Sequence, residues 1–153
     1  MNILGIGPLL AIVGVVTGAI AMVFWRVAGC SVSLPSPCRE WTFWIGMISL
    51  IVGVYFWISS AILVKRAFES RRLVQKGVYG LSRNPMYAGF IVFLIPGLAL
   101  VVNELLLLLI PAAMFVAFKM RIAKEEEYMA KEFGEEFERY RKSVSQLVPF
   151  LRV

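Results

Sequence analysis

Four stretches of this chain are apolar over so much of their length, and so sparsely charged, that a lipid-crossing helix is the simplest structure for each. A membrane-spanning helix needs about 20 predominantly apolar residues. Ile3 to Trp25 meets that length with no charge before Arg26, and Trp41 to Val64 meets it again, with Trp41 and Trp44 placed as interfacial anchors. Met86 to Val102 and Leu105 to Phe118 are shorter and are separated only by Asn103 and Glu104, which predicts a helical hairpin that is tilted or crosses only in part. The first run has no basic leader and exceeds the usual apolar segment of a signal peptide, so it is expected to be retained as a span. Gly5, Gly7, Gly14 and Gly18 within it suit close helix packing in lipid. With 59% hydrophobic residues, a mean hydropathy of +0.78 and 153 residues, the chain reads as one all-α, polytopic membrane domain.

The charges arrange these spans. Residues 65–83 carry six basic side chains against Glu69, whereas the polar break 26–40, with both cysteines, is nearly neutral. The positive-inside rule therefore places 65–83 in the cytoplasm, and four spans then place both termini there too. Cys30 and Cys38 fall on the opposite side, where a disulfide is permitted. From Lys119 to Lys142, seven basic and seven acidic residues mark a charged cytoplasmic helix. Ile122, Met129, Phe133, Phe137, Tyr140 and Val144 give it an apolar stripe, and Gly134 marks a bend. Residues 1–64 thus form an N-terminal helix pair, and 65–153 hold the loop, hairpin and terminal helix.

The chain has no His and no Asp, and only two Cys. That removes the usual general base, His-based triads and any metal site built from His and Cys, so no metal is expected. A nucleic-acid partner is not expected either; the bilayer is the partner that the composition names.

"GVYGLSRNPMYAG", Gly77 to Gly89, is the stretch that lipid filling does not explain. Pro85 drives Asn84 out of the helical region, and Asn84 is placed to cap the next helix. A hairpin brings its ends together, so Arg83 and Tyr87 should lie beside Glu125, Glu126 and Glu127 at the lipid–water boundary. Each motif also has a plainer reading. Asn-Pro is a common helix entry, Tyr87 suits an aromatic belt, and the glutamates can pair with Lys124 and Lys131 on a solvated face.

The two motifs occur together and in order. Gly77, Tyr79, Arg83, Pro85, Tyr87 and Gly89, then Glu126, Glu127, Phe133, Gly134, Tyr140, Val144 and Pro149, resemble the isoprenylcysteine carboxyl methyltransferase family and its prokaryotic phospholipid-methyltransferase-like relatives. The resemblance covers about residues 75 to 150. It implies S-adenosylmethionine as methyl donor, bound at the cytoplasmic face, and a lipophilic acceptor entering from the bilayer: a prenylated cysteine carboxylate or a lipid headgroup amine. On that reading Gly77, Val78, Tyr79, Asn84, Pro85, Tyr87, Glu126 and Glu127 hold the donor. Arg83, Tyr87 and Arg121 serve the reaction. Asn84 stands where eukaryotic members usually have His, so a titrating role there is not available.

Two rival readings stay open. Membrane sterol-type reductases look similar over the same region and bind NADPH, with Tyr87 as a possible proton donor. A non-enzymatic subunit whose basic loop binds anionic lipid would explain residues 65–83 but not the paired motifs.

Overall fold

The computed structural model describes residues 6–29, 31–70 and 73–149. Gly5 and Cys30 lie outside them, and with Cys30 the disulfide expectation; Cys38 is exposed with a free thiol. Four long helices dominate: α1 (Gly7–Ala28), α2 (Ser36–Ser70), α3 (Pro85–Val102) and α4 (Leu109–Ser143). Short 3₁₀ turns, Gly77–Gly80 and Leu105–Leu108, precede α3 and α4. All four helices are long and apolar enough to cross a membrane. Their outer faces carry side chains that would be untenable in water, such as Val15 at 72% exposed and Val27 at 82%, and these form the lipid-facing surface of a multi-pass membrane protein.

Local sequence sets the helix ends. Proline stands in the first turn of α1 and of α3, where no backbone donor is needed. Gly29, at φ 62°, closes α1 in the left-handed region. Inside α3, Pro96 can donate no hydrogen bond and its ring presses on the preceding turn. The helix widens to a π turn at Gly89–Leu94 just before it. The Ser49 hydroxyl of α2 donates to the carbonyl of Phe93 at 2.9 Å, satisfying an acceptor that lipid would leave bare.

Packing divides the first two helices between the last two: α2 lies on α3, and α1 on α4. Glycine makes the α2–α3 contact close. A Cβ on Gly46 would stand 2.8 Å from the Gly97 carbonyl, and one on Gly53 would stand 2.7 Å from Leu94 Cγ. The α1 glycines singled out in the sequence are looser: Gly14 and Gly18 meet only the flexible ends of Met114 and Ile110, and Gly7 has nothing within 4 Å. The closest backbone approach therefore belongs to Gly46, Gly53 and Gly97, not to the glycine-rich first span.

The hairpin turn locks the end away from Gly77. Asn103, left-handed at φ 56°, accepts at Oδ1 from the Leu34 N–H at 2.9 Å, and its Nδ2 donates to the Leu34 carbonyl at 3.2 Å. Glu104 accepts from the Ser31 hydroxyl at 2.8 Å and the Val32 N–H at 3.2 Å.

At the other end, the change of composition at Lys119 leaves no mark on the backbone. From Leu109 to Phe133 α4 is unbroken helix, about 38 Å long and longer than the roughly 30 Å hydrocarbon layer, so the charged stretch after Lys119 continues the span rather than starting a separate helix. The break falls at Gly134, whose φ of 51° and ψ of −129° are non-helical, as the sequence reading expected of that glycine. Beyond α4, residues 144–149 turn back against the 3₁₀ turn and the start of α3.

Candidate active site

The site forms where the loop 77–84, the start of α3, the middle of α4 and the returning segment 144–149 meet. Several hydrogen bonds hold that segment. The Arg83 N–H donates to the Ser145 carbonyl at 2.8 Å, and the Ser145 hydroxyl donates to the Leu81 carbonyl at 2.9 Å. Beneath them the Tyr140 hydroxyl donates to the Tyr79 carbonyl at 2.6 Å.

Asn84 occupies the position before α3 but does not cap it with its side chain. A cap would accept from the N–H of Met86 or Tyr87, but the Asn84 amide is held elsewhere, its nitrogen donating to the Gln146 carbonyl at 2.9 Å. The capping expectation is thereby corrected, and Asn84 serves as a tie between loop and tail.

Arg83 is the centre of the constellation. Its side chain is only 9% exposed, and Nη1 lies 3.0 Å from Glu126 Oε1, whose side chain is 15% exposed. The pairing is close but poorly aimed: among the described residues neither Nε nor Nη1 of Arg83 has a hydrogen-bond partner. Burial lowers the guanidinium pKa and the Glu126 carboxylate opposes that shift, and arginine stays charged at neutral pH regardless. A buried cation with two unfilled donors is costly by itself and is suited to an anionic group. Burial also raises the Tyr79 phenol, with Tyr87 adding to the shift, so it stays protonated and neutral.

On the neighbouring side, Tyr87 packs edge-on to Phe118 at a centroid distance of 5.7 Å. Glu125 accepts from the N–H of Ile6 at 2.6 Å, which brings the start of α1 to the site. A carboxylate at a helix N-terminus also meets the positive end of the helix dipole.

The remaining sequence candidates are spread around this centre. Val78 is 1% exposed and belongs to the packed core, and Pro85 is fully buried. Gly77, at φ 65°, shapes the turn that aims the loop, where a side chain would be strained. Glu127 faces solvent and pairs with Lys131 at 2.7 Å, the plainer reading of that glutamate. Arg121 is exposed, on the side of α4 away from Lys119. Arg83, Tyr79, Asn84, Tyr87 and Glu126 are therefore brought together, whereas Glu127 and Arg121 point elsewhere.

The sequence reading passed over Lys119 and Gln146. Lys119 Nζ donates to Gln146 Oε1 at 2.6 Å, and Gln146 Nε2 donates to Glu126 Oε1 at 2.9 Å. The two-turn spacing of Lys119 and Glu126 was a usable signal; Gln146, in an irregular segment, offered none.

Comparison with known proteins agrees with the class that this bundle and its site define. The model of the phospholipid methyltransferase family matches residues 41–136, well over half of the chain, from the start of the second apolar run to just past Gly134. The chain belongs to that family. Among curated relatives, the protein-S-isoprenylcysteine O-methyltransferase of Saccharomyces cerevisiae is 36% identical over 90 residues, covering 58% of this chain and 38% of the relative. That of Schizosaccharomyces pombe is 32% identical over 92 residues, covering 60% and 39%. A probable protein-S-isoprenylcysteine O-methyltransferase of Oryza sativa subsp. indica is 26% identical over 117 residues, covering 71% and 61%. The chain spans less than two thirds of the length of these relatives.

Proposed function

We propose that the chain is an integral membrane S-adenosylmethionine-dependent methyltransferase whose acceptor is a lipophilic carboxylate of the prenylcysteine type. The observation that carries this is the buried, charged guanidinium of Arg83 beside Glu126, with two donors that no described residue fills, at the end of a membrane bundle. The relatives' names supply the acceptor class, and the family match favours methyl transfer over hydride transfer at the same loop and helix.

The residues present fit the donor. Glu126 offers a carboxylate for an ammonium, Arg83 and Lys119 offer cations for a carboxylate, and Tyr87, backed by the buried Phe118, offers an aromatic face. When bound, S-adenosylmethionine supplies an electrophilic methyl group. The protein's part is to bind, align and keep out water. A carboxylic acid with a pKa near 3.5 is already ionised at neutral pH, so a chain without His needs no base to make it a nucleophile. A protonated lipid amine would first have to lose a proton.

The basic residues 65–83 put this end of the bundle, with Ile6 and the 144–149 segment, at the cytoplasmic face. The acceptor's hydrocarbon would remain in the bilayer while its polar end reaches the bound donor.

The test is methyl transfer from labelled S-adenosylmethionine by the purified protein in vesicles, offered N-acetyl-S-farnesylcysteine or phosphatidylethanolamine. Label in a base-labile ester of the first is the expected result. Label in the phospholipid amine alone would keep the donor and replace the acceptor. Label in neither would overturn the proposal.

A further inference from the structure

Gln146 bridges two charges of opposite sign, Glu126 within the site and the exposed Lys119 at its edge. Its amide nitrogen donates to the Glu126 carboxylate at 2.9 Å, and its amide oxygen accepts from the Lys119 ammonium at 2.6 Å. A carboxamide is a neutral group with a donor end and an acceptor end. Here the donor end rests on an anion and the acceptor end on a cation. The same pair of charges would hold an α-amino acid zwitterion, its ammonium on Glu126 and its carboxylate on Lys119, with stronger charge-assisted bonds.

Two further observations separate this side chain from a simple strut. The Gln146 main chain is held independently, its carbonyl accepting from Asn84 Nδ2 at 2.9 Å and from the Ser82 hydroxyl at 3.4 Å, so the side chain can swing without unseating the tail. Arg83 also leans on Glu126 Oε1, the oxygen that Gln146 uses, yet among the described residues its nine-tenths buried Nε and Nη1 have no well-aimed hydrogen-bond partner while the carboxamide is in place.

We propose that Gln146 is an internal stand-in for the amino-acid end of the methyl donor, and that Lys119 is a donor-binding residue which the stand-in covers. The inference rests on the methyltransferase reading. Donor binding swings the carboxamide away, and affinity for the donor is set partly by this competition.

Calorimetry on the purified full chain separates the possibilities. The probes are S-adenosylhomocysteine and 5′-methylthioadenosine, which has the same nucleoside and sulfur but lacks the amino-acid end. Gln146→Ala should bind S-adenosylhomocysteine roughly three- to tenfold more tightly, and Lys119→Met roughly tenfold more weakly. Both variants should bind methylthioadenosine within about twofold of the parent, which also reports that the site is folded. Weaker S-adenosylhomocysteine binding by Gln146→Ala, or equal shifts for both probes, would overturn the stand-in while leaving parent binding intact. If the parent bound neither probe, the methyl-donor reading would fail and this inference with it.

Discussion

Arg83 and Glu126 are an ion pair held almost entirely out of solvent. Removing one partner of such a pair leaves the other charge uncompensated and costs about 3–5 kcal/mol. Glu126→Gln should therefore lower thermal stability in detergent as well as weaken donor binding. Arg83→Ala removes the cation itself and should abolish methyl transfer. Glu127→Gln is the control: its carboxylate is exposed and paired with Lys131 one turn on, a solvent-screened contact, so its stability should stay close to that of the parent. A loss on Glu127→Gln equal to that on Glu126→Gln would show that the glutamates had been assigned the wrong way round. The sequence placed the three glutamates near Arg83 and the resemblance favoured Glu126 and Glu127, but it could not choose between those two, because adjacent helical residues point about 100° apart and only the packed structure shows which direction is inward.

The helices make stricter demands than their composition suggests. In Gly46→Ala the new methyl would meet the Gly97 carbonyl at 2.8 Å, backbone against backbone, and α2 must move off α3. Overpacking of this kind costs about 1–3 kcal/mol. Gly18→Ala meets only the end of the Ile110 side chain at 3.4 Å and should be nearly neutral in the same thermal unfolding assay. Gly134 governs the other interface. At φ 51° and ψ −129° a side chain is strained by about 1–3 kcal/mol, and Gly134→Ala should favour a straight helix. Straightening would carry Tyr140 from the Tyr79 carbonyl and loosen residues 144–149, seen as faster amide exchange at Leu81 to Arg83. Unchanged exchange there would show that the bend does not hold the tail. The existence of the helices, the hairpin and the bend were legible from apolar runs, the Asn103–Glu104 turn and a lone glycine. The π turn and the α2–α3 glycine contact were not, because each depends on what a neighbouring helix places opposite it.

For the whole molecule, the arrangement brings Ile6, the 77–87 loop, the middle of α4 and residues 144–149 to one end, and Ser31 to Leu34 with Asn103 and Glu104 to the other. Cys38 is exposed near that second end, so under reducing conditions a membrane-impermeant maleimide should label it from the extracytoplasmic side. Labelling only after the bilayer is opened would invert the topology. The site itself was half legible: two motifs at the ends of a hairpin must meet, so Arg83, Tyr87 and the glutamates could be gathered from sequence. Lys119, two helical turns before Glu126, could have been gathered with them; Gln146 could not, since the tail that carries it has no periodicity and is placed by hydrogen bonds from Asn84 and Ser82. The central claim is that the buried Arg83–Glu126 pair marks a methyl-donor site. Calorimetric titration of the purified protein with S-adenosylhomocysteine, with NADPH in parallel and Arg83→Ala beside the parent, tests it most directly. Saturable binding of S-adenosylhomocysteine alone, lost in Arg83→Ala, is the expected result. Binding of NADPH in its place, or S-adenosylhomocysteine binding untouched by the substitution, would contradict it.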